Sequence, residues 1–366
     1  MDFQVTLPVI AAAGAGAALL GTVSVYGIRQ IVLIGQFSYH NARLSTMGNP
    51  YVTREEVLPM VDISDASSLL KTLQGDLAPQ EDAGTFREAD RMVMSNFHNS
   101  LDTLMKESPR SVGPLVKAFL RLWEMEELKR LLRLVGKRSE PLYPIGFLDP
   151  DLEAQFLGSK DLVQAVELLE GHSVNKAITP MVRESGAGLD EIDSVLDRYV
   201  LDAIFDLEGL PLSCRKGTKT FSNLLADRYN IQLIVRSKMN GWSRELVMPQ
   251  LFTRGGTVGL PLLEQMAEAS NLREALTVLG GSHLEQYFKD VVDKGPTALE
   301  IAMDQMLLDG SISISHSFNM NIGPTIRYMV SKEMEMKNIR TLLQGAFSGW
   351  DPDKTRSSLI LQGAVG

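Results

Sequence analysis

The sequence has very little cysteine, few aromatic residues and almost no strand-like pattern. Cysteine occurs once among 366 residues, which excludes an intramolecular disulfide and a thiolate metal cluster and fits a reducing compartment. Aromatic residues make up only 7% of the chain, and this favours helix over sheet. Strand-like alternation is nearly absent; the one candidate, Ser311–Ser315, is short, and we interpret it as a loop.

Positive charge is also scarce. The chain has 36 Lys and Arg against 45 Asp and Glu, a formal net charge of −9. Binding nucleic-acid phosphates needs a basic face, so the composition argues against a nucleic-acid partner. It equally argues against simple adhesion to an anionic bilayer, unless an apolar anchor or a local basic patch overrides the charge.

No constellation of side chains indicates catalysis. A glycine-rich phosphate loop followed by Lys and Ser or Thr is missing, and no serine lies in a nucleophile-elbow motif. Cys214 precedes Arg215 and Lys216, which would lower the pKa of its thiol, but no histidine is near it in sequence. The five histidines show no metal-ligand spacing: His40, His98, His172, His283 and His316. We therefore predict no catalytic residue, no cofactor, no metal and no small-molecule substrate.

The first segment differs from the rest because Leu7–Ile28 contains no charged residue. As a helix, this segment would extend roughly 33 Å at about 1.5 Å per residue, enough to cross a bilayer's hydrocarbon core. A cleaved signal peptide is disfavoured, because Asp2 and no basic residue precedes the run. A dinucleotide loop at Gly14 and Gly16 lacks the acidic residue expected about twenty positions later.

Two interpretations of this apolar segment stay open. One is a helix that spans or dips into a membrane; with Asp2 outside and Arg29 inside, the bulk of the chain would be cytoplasmic. The other is a buried hairpin helix within a soluble protein.

Beyond this segment, apolar residues recur at three- and four-residue steps, which predicts one amphipathic helix after another. The clearest are Pro114–Val135, Asp190–Leu207, Phe221–Met239 and Pro324–Leu343.

Two patterns repeat along the chain. The first is a short helix with Asp or Asn at its start, a core leucine and a closing glycine. Its three copies are Asp65–Gly75 with Leu73, Asp161–Gly171 with Leu169, and Asn271–Gly281 with Leu279. The second is a polar residue followed two positions later by a long polar one. Its four copies are Asn41 with Arg43, Glu127 with Lys129, Asn230 with Gln232, and Asn338 with Arg340. Together they predict three interlaced units of about a hundred residues, with the last helix closing against the first segment.

Two stretches resemble one known family. Gly323 to Gly345 combines Gly-Pro, Tyr328, Lys332, Glu333, Glu335, Asn-Ile-Arg at 338–340 and Leu-Leu at 342–343. Tyr39–Met47 resembles the same family's opening segment. The family is the C/d subunit of the archaeal and vacuolar-type rotary ATPases. The resemblance covers roughly residues 36 to 366, is weak across 80–110 and 185–220, and leaves out the apolar N-terminal segment.

The resemblance implies an all-α fold: three similar helical domains in a pseudo-threefold funnel, to which this chain adds an N-terminal apolar helix. The implied divisions are residues 1–35 (apolar helix), 36–120 (repeat 1, closed by 323–366), 121–225 (repeat 2) and 226–366 (repeat 3 with the ring-closing helices). The implied function is that of a non-catalytic component of the central stalk, which couples a membrane proteolipid ring to stalk subunits of the D/F type. The location would be the cytoplasmic face of the cell membrane, with residues 7–28 as a candidate anchor.

Polar residues at the recurring positions, together with Arg133 and Glu335, are the candidates for a partner interface. They would line the funnel's cavity, or equally form hydrogen bonds between helices. The set is Asn41, Arg43, Lys129, Arg133, Asn230, Glu335, Asn338 and Arg340. A basic run comprises Lys129, Arg130, Arg133, Lys137 and Arg138. It would face acidic lipid headgroups or an acidic stalk partner, or else solvent, where Glu124, Glu126 and Glu127 would pair with it.

Two functions of other classes remain as alternatives. A membrane-anchored helical scaffold would use the repeats for general protein binding, but has no reason to carry both family motifs. An oxidoreductase that uses Gly14 and Gly16 would need a strand-rich first domain.

Overall fold

The computed structural model describes residues 28, 31–32, 35–48, 50–135, 148, 150–172, 174–185 and 188–363. In these ranges every regular element is a helix and no strand occurs, which confirms the all-α prediction. Apart from Ile28, the predicted apolar helix over residues 7–28 lies outside the described residues. Among the helices that are described, none is both long and apolar enough to cross a membrane.

The helices fall into long ones and short ones. The long helices are α4 (Phe86–Glu107), α5 (Gly113–Leu132), α9 (Leu189–Phe205), α10 (Leu212–Asn240), α15 (Pro296–Ser317) and α16 (Gly323–Ser348). The shorter ones are α1 (35–47), α2 (Arg54–Val61), α3 (Ala66–Thr72), α6 (Pro150–Gly158), α7 (Leu162–Glu167), α8 (Asn175–Pro180), α11 (Arg244–Val247), α12 (Leu260–Glu268), α13 (Leu272–Thr277), α14 (Glu285–Phe288) and α17 (Pro352–Ser357). Single turns of 3₁₀ helix lie at Pro50–Val52, Met248–Gln250 and Val292–Lys294, and a π-helical turn at Met181–Ser185.

The six long helices form a closed ring. Each packs against the next in chain order, from α4 through α5, α9, α10 and α15 to α16, and α16 packs back against α4. Because the first and last long helices meet, the two ends of the fold are joined by packing.

The four clearest predicted helices are all present, as α5, α9, α10 and α16. The interpretation of Ser311–Ser315 as a loop was wrong, because these residues continue α15. The Ser311 hydroxyl donates to the backbone oxygen of Leu308 at 2.7 Å, and Ser311 and Ile314, one helical turn apart, are both buried. Burial on a helical face therefore overrides the alternating pattern of residue types.

The three capped segments share three local features. The side chains of Asp65, Asp161 and Asn271 accept hydrogen bonds from the backbone N–H three residues on, at 2.8, 2.9 and 2.9 Å. The core leucines at 73, 169 and 279 are buried. The closing glycines at 75, 171 and 281 have φ of +92°, +91° and +76°, a region that favours glycine over other residues. α3, α7 and α13 therefore share their cap, core leucine and closing glycine, although α3 ends in extended backbone at Leu73 whereas the other two end in turns.

Candidate functional site

Three of the recurring polar positions make the same kind of contact. Asn230 accepts from the backbone N–H of Phe252 at 2.8 Å and donates to its oxygen at 3.0 Å. Asn338 accepts from the N–H of Ile360 at 2.8 Å and donates to its oxygen at 2.7 Å. Glu127 accepts from the N–H of Leu148 at 2.9 Å. In each case a buried side chain on a long helix holds backbone a little over twenty residues further along the chain.

The remaining copy, at Asn41, makes a different contact. Asn41 donates from Nδ2 to the backbone oxygens of Asn319 and Asn321, at 3.0 and 3.1 Å, in the turn between α15 and α16. Two positions on, Arg43 pairs with Glu107 at the end of α4. α1 is therefore fixed to two different turns of the ring.

The ring encloses a cavity of about 500 Å³ between α4, α5, α9, α10 and α16. A second cavity of about 440 Å³ adjoins it and shares Arg228, Gln232, Lys337 and Arg340. Residues of α15 line this second space. The charged residues that line the first cavity are Arg87, Asp90, Arg91, Glu126, Glu127, Arg130, Asp197, Arg228, Glu333, Lys337 and Arg340. Both signs are interspersed, so the wall offers donors and acceptors to a polar occupant.

A four-residue ionic cluster joins three ring helices at this wall. Arg228 of α10 contacts Asp304 of α15 at 2.7 Å and Glu333 of α16 at 3.3 Å. Lys337 contacts Asp304 at 2.8 Å and Glu333 at 3.0 Å. Burial disfavours the charge of Arg228, but Asp304 and Glu333 outweigh it and raise the pKa of the guanidinium. The four contacts brace α10, α15 and α16 together.

Further ion pairs join other neighbours in the ring. Lys129 of α5 is buried and contacts Glu126 at 2.7 Å and Asp197 of α9. Although burial opposes its charge, Asp197 and Glu126 raise the pKa of Lys129. Arg133 pairs with Asp193 of α9, and Arg340 of α16 pairs with Asp90 of α4.

The basic run is thus only partly what the sequence indicated. Lys129 lies between helices instead of on a solvated face, and Lys137 and Arg138 fall outside the described residues. Among the eight candidate residues, Arg340 lines the cavity, whereas Asn230 and Asn338 are fully buried. Their role in a partner interface stays a prediction.

Glu335 occupies a separate, buried cluster. Its Oε2 lies 2.8 Å from Nζ of Lys332, which also contacts Asp76 at 2.6 Å, and both Glu335 and Lys332 are almost inaccessible to solvent. Burial raises the pKa of Glu335 to about 7, although Lys332 acts in the opposite direction. This carboxyl group therefore changes charge near neutral pH.

The structure corrects the expectation for Cys214. The thiol is buried, and burial raises its pKa, although the neighbouring cations in sequence suggested a lower one. The described residues hold no group of three or more His, Cys, Asp or Glu placed to bind a metal ion.

Sequence reasoning missed Arg228, Asp304 and Lys337. One signal was available, since Glu333 and Lys337 stand four residues apart on α16 and such pairs meet on a helix. Arg228 and Asp304 gave no such signal, because 76 positions separate them.

Comparisons with known proteins agree on one family. Residues 40–358 match the sequence model of the family described as ATP synthase (C/AC39) subunit. The C subunit of the A-type ATP synthase of Methanocaldococcus jannaschii is 21% identical over 367 residues, covering 92% of this chain and 90% of that protein. The protein of the same name from Methanothermobacter thermautotrophicus is 22% identical, covering 89% and 88%. That from Methanobrevibacter smithii is 25% identical, covering 74% of each chain.

Proposed function

Because the chain belongs to the ATP synthase (C/AC39) subunit family, we propose that it is a non-catalytic component of the central stalk of an archaeal- or vacuolar-type ATP synthase. In this role it couples rotation of a membrane proteolipid ring to the stalk that reaches the catalytic head. The relatives, which are named as C subunits of A-type ATP synthases, support membership of such a complex. The coupling role is our own step beyond that name.

The closed helical ring around a charged cavity is the observation that carries this proposal. A part that transmits torque must be stiff and must hold its partners without slipping. Close packing of six helices resists deformation, and ion pairs between neighbours oppose sliding of one helix along the next. A wall of interspersed charges would recognise a partner with the complementary pattern and fix its orientation.

We further propose that the ring is a pseudo-threefold funnel. Its units would be residues 36–120, closed by 323–366, then 121–225, and then 226–366 with the ring-closing helices. The repeated contacts of Glu127, Asn230 and Asn338 and the three capped helices support this division. An apolar helix over residues 1–35 would stand apart from the three units.

The partners in this proposal are stalk subunits of the D/F type, whose foot enters the cavity, and the proteolipid ring below. The protein would sit at the cytoplasmic face of the membrane, with residues 7–28 as an anchor. Arg340, together with Arg228 and Gln232, would contact the stalk foot, since all three line both cavities.

Partner recovery with a blocked cavity tests the proposal. The tagged chain is isolated from mildly solubilised membranes, and co-purifying proteins are identified by mass spectrometry. We expect proteolipid, stalk and nucleotide-binding subunits with the unaltered chain. Gln232→Trp should fill the cavity and sharply reduce recovery of the stalk while the proteolipid ring is retained.

A matched control separates cavity filling from general disturbance. Gln80→Trp makes the same replacement at an exposed position outside the ring, and it should leave all partners in place. Retention of the proteolipid by Gln232→Trp shows that the variant still folds. Recovery of neither proteolipid nor stalk with the unaltered chain, from membranes that contain an intact ATPase, would instead favour the anchored scaffold.

A further inference from the structure

The charged side chains on the wall of the first cavity lie at two depths. Six Lys and Arg and five Asp and Glu line it, whereas the chain as a whole has a net charge of −9. In the ion pairs of α10, α15 and α16 at this wall, the basic partner is the more exposed one. The same holds on α5, where Arg130 is 33% exposed and Glu127 only 1%. At these pairs an occupant therefore meets the positive group before the negative one.

The contact between α4 and α16 adds an excess of positive charge. Arg87 and Arg91 of α4 and Arg340 of α16 line the cavity, and Arg340 pairs with Asp90. Glu333, an acid of α16 that also lines the cavity, is buried in the ionic cluster. We call Arg87, Asp90, Arg91 and Arg340 the basic seam, which has three positive groups and one negative. Arginine binds a carboxylate through two parallel hydrogen bonds, and a cleft with low-dielectric walls strengthens the attraction.

Among the described residues that line the first cavity, the contact between α5 and α9 has the opposite order of charges. Glu126 of α5 is 57% exposed and lies over Lys129, which is 5% exposed. Asp197 of α9 contacts the same ammonium group and is also more exposed than Lys129. We call Glu126 and Asp197 the acidic notch. Two carboxylates share one buried ammonium there, so the notch presents a net negative charge to the cavity.

We propose that the cavity takes a segment of the stalk foot that carries acidic side chains for the basic seam and a basic side chain for the acidic notch. This inference rests on the proposed function, and it adds the charge of the stalk segment and the angle at which the segment is seated. Charges of opposite sign at two different helix contacts attract a matching segment in one setting and repel it in others. A fixed angle prevents the stalk from slipping when the ring of helices turns.

Charge variants in the complete complex test this pattern. The tagged chain is isolated from mildly solubilised membranes at increasing KCl concentrations, and the retained stalk is quantified by mass spectrometry. Arg91→Glu reverses one charge of the basic seam, and it should lower the KCl concentration that releases half of the stalk to about one half or less. Arg91→Gln should give a smaller shift in the same direction. Glu126→Lys should also lower this concentration, because it repels the basic side chain at the notch.

Two control variants separate the cavity from the net charge and from folding. Lys117→Glu makes the same change of charge at an exposed position of α5 that does not line the cavity, and it should leave stalk retention unchanged. Arg91→Lys keeps the positive charge and should retain the stalk nearly as well as the unaltered chain. Retention of the proteolipid ring shows that each variant still folds.

The possible failures are distinguishable. Equal stalk release by Arg91→Glu and Lys117→Glu overturns the role of the basic seam, and unchanged or tighter retention by Glu126→Lys overturns that of the acidic notch. In both cases the stalk still accompanies the unaltered chain, so the proposed function stands. Absence of the stalk from the unaltered chain at low KCl concentration would instead refute the proposed function.

Discussion

The side chain of Asn338 binds both backbone polar groups of Ile360, 22 positions further along the chain. Asn230 bears the same relation, at the same separation, to Phe252. Both asparagines are fully buried in the middle of a long helix. Each one ties its helix to a segment later in the chain, so a single side chain fixes the position of that segment against the helix.

Replacing Asn338 should strongly destabilise the protein. Asn338→Ala removes three hydrogen bonds and leaves the N–H of Ile360 and the oxygens of Ile360 and Tyr51 without this partner. Buried polar groups left without a partner cost about 1–3 kcal/mol each, so we expect a loss of about 3–5 kcal/mol in the free energy of unfolding. Urea unfolding measures it. Asn240→Ala, at an exposed position, should change the same quantity by less than about 0.5 kcal/mol; similar losses for both would contradict the assignment.

The ionic cluster predicts a large effect of removing one carboxylate. Asp304→Asn leaves Arg228 and Lys337 with Glu333 as the remaining acid of the cluster. Breaking a buried pair by removing one partner is costly, and because Arg228 and Lys337 are partly exposed we expect about 1–3 kcal/mol. The measurement is the drop in Tm on thermal unfolding, and Asp293→Asn is the control variant. Asp293 pairs with Arg273 at the exposed surface, so its loss should be nearly neutral; an equal drop in Tm for the two variants would refute the cluster's role.

Glu335 should make stability depend on pH. Its pKa rises on folding from an ordinary value of 4.5 to about 7, so the folded protein binds more protons than the unfolded one between these values. Stability contributed by this group is therefore present below about pH 4.5 and lost as the pH rises to about 7. Glu335→Gln abolishes the titration.

The matching measurement is the difference in unfolding free energy between Glu335→Gln and the unaltered protein at several pH values. As the pH rises from 4.5 to 7, the stability of the variant relative to the unaltered protein should increase by up to about 3 kcal/mol, at about 1.4 kcal/mol per pKa unit. A difference that stays constant over this range would show that the carboxyl is not the titrating group.

Gly256 should tolerate no side chain. Its φ is +108°, and a Cβ there would lie 2.7 Å from Oδ1 of Asp227. The same Oδ1 accepts from the N–H groups of Thr257 and Val258, at 2.8 and 3.0 Å. Gly256→Ala would displace this carboxylate, and we expect a cost of about 2–4 kcal/mol. Gly171→Ala is the matched control, because φ is +91° and no atom lies within 4 Å of the added Cβ; it should cost only about 1 kcal/mol.

Local signals made the capped helices predictable. An Asp or Asn cap and a glycine ten residues later act within one segment, so Asp161 and Gly171 reveal their roles without knowledge of the fold. The long helices were equally predictable, from the three- and four-residue spacing of their apolar residues. The loop prediction for Ser311–Ser315 was wrong because its residue types alternate as in a strand, whereas its buried residues lie on one face of a helix.

The long-range contacts were not predictable in the same way. The repeat marked Asn230 and Asn338 as equivalent, but nothing in the sequence named Phe252 or Ile360 as the backbone they bind. The cavity needs ring closure between α16 and α4, and the pair Arg340–Asp90 spans 250 positions. Charges in the middle of helices, such as Arg228, become informative only once the ring gives them partners.

A covalent bond across the cavity tests the central claim most directly. Gln232→Cys places a thiol at the cavity wall, and a short bifunctional reagent would join it to whatever occupies the cavity in the intact membrane-bound complex. The account predicts a cross-linked product with a protein of the stalk and undiminished ATP-driven ion pumping, because both partners would turn together. A product with a stationary component of the complex, or loss of pumping in proportion to the cross-linked fraction, would contradict it.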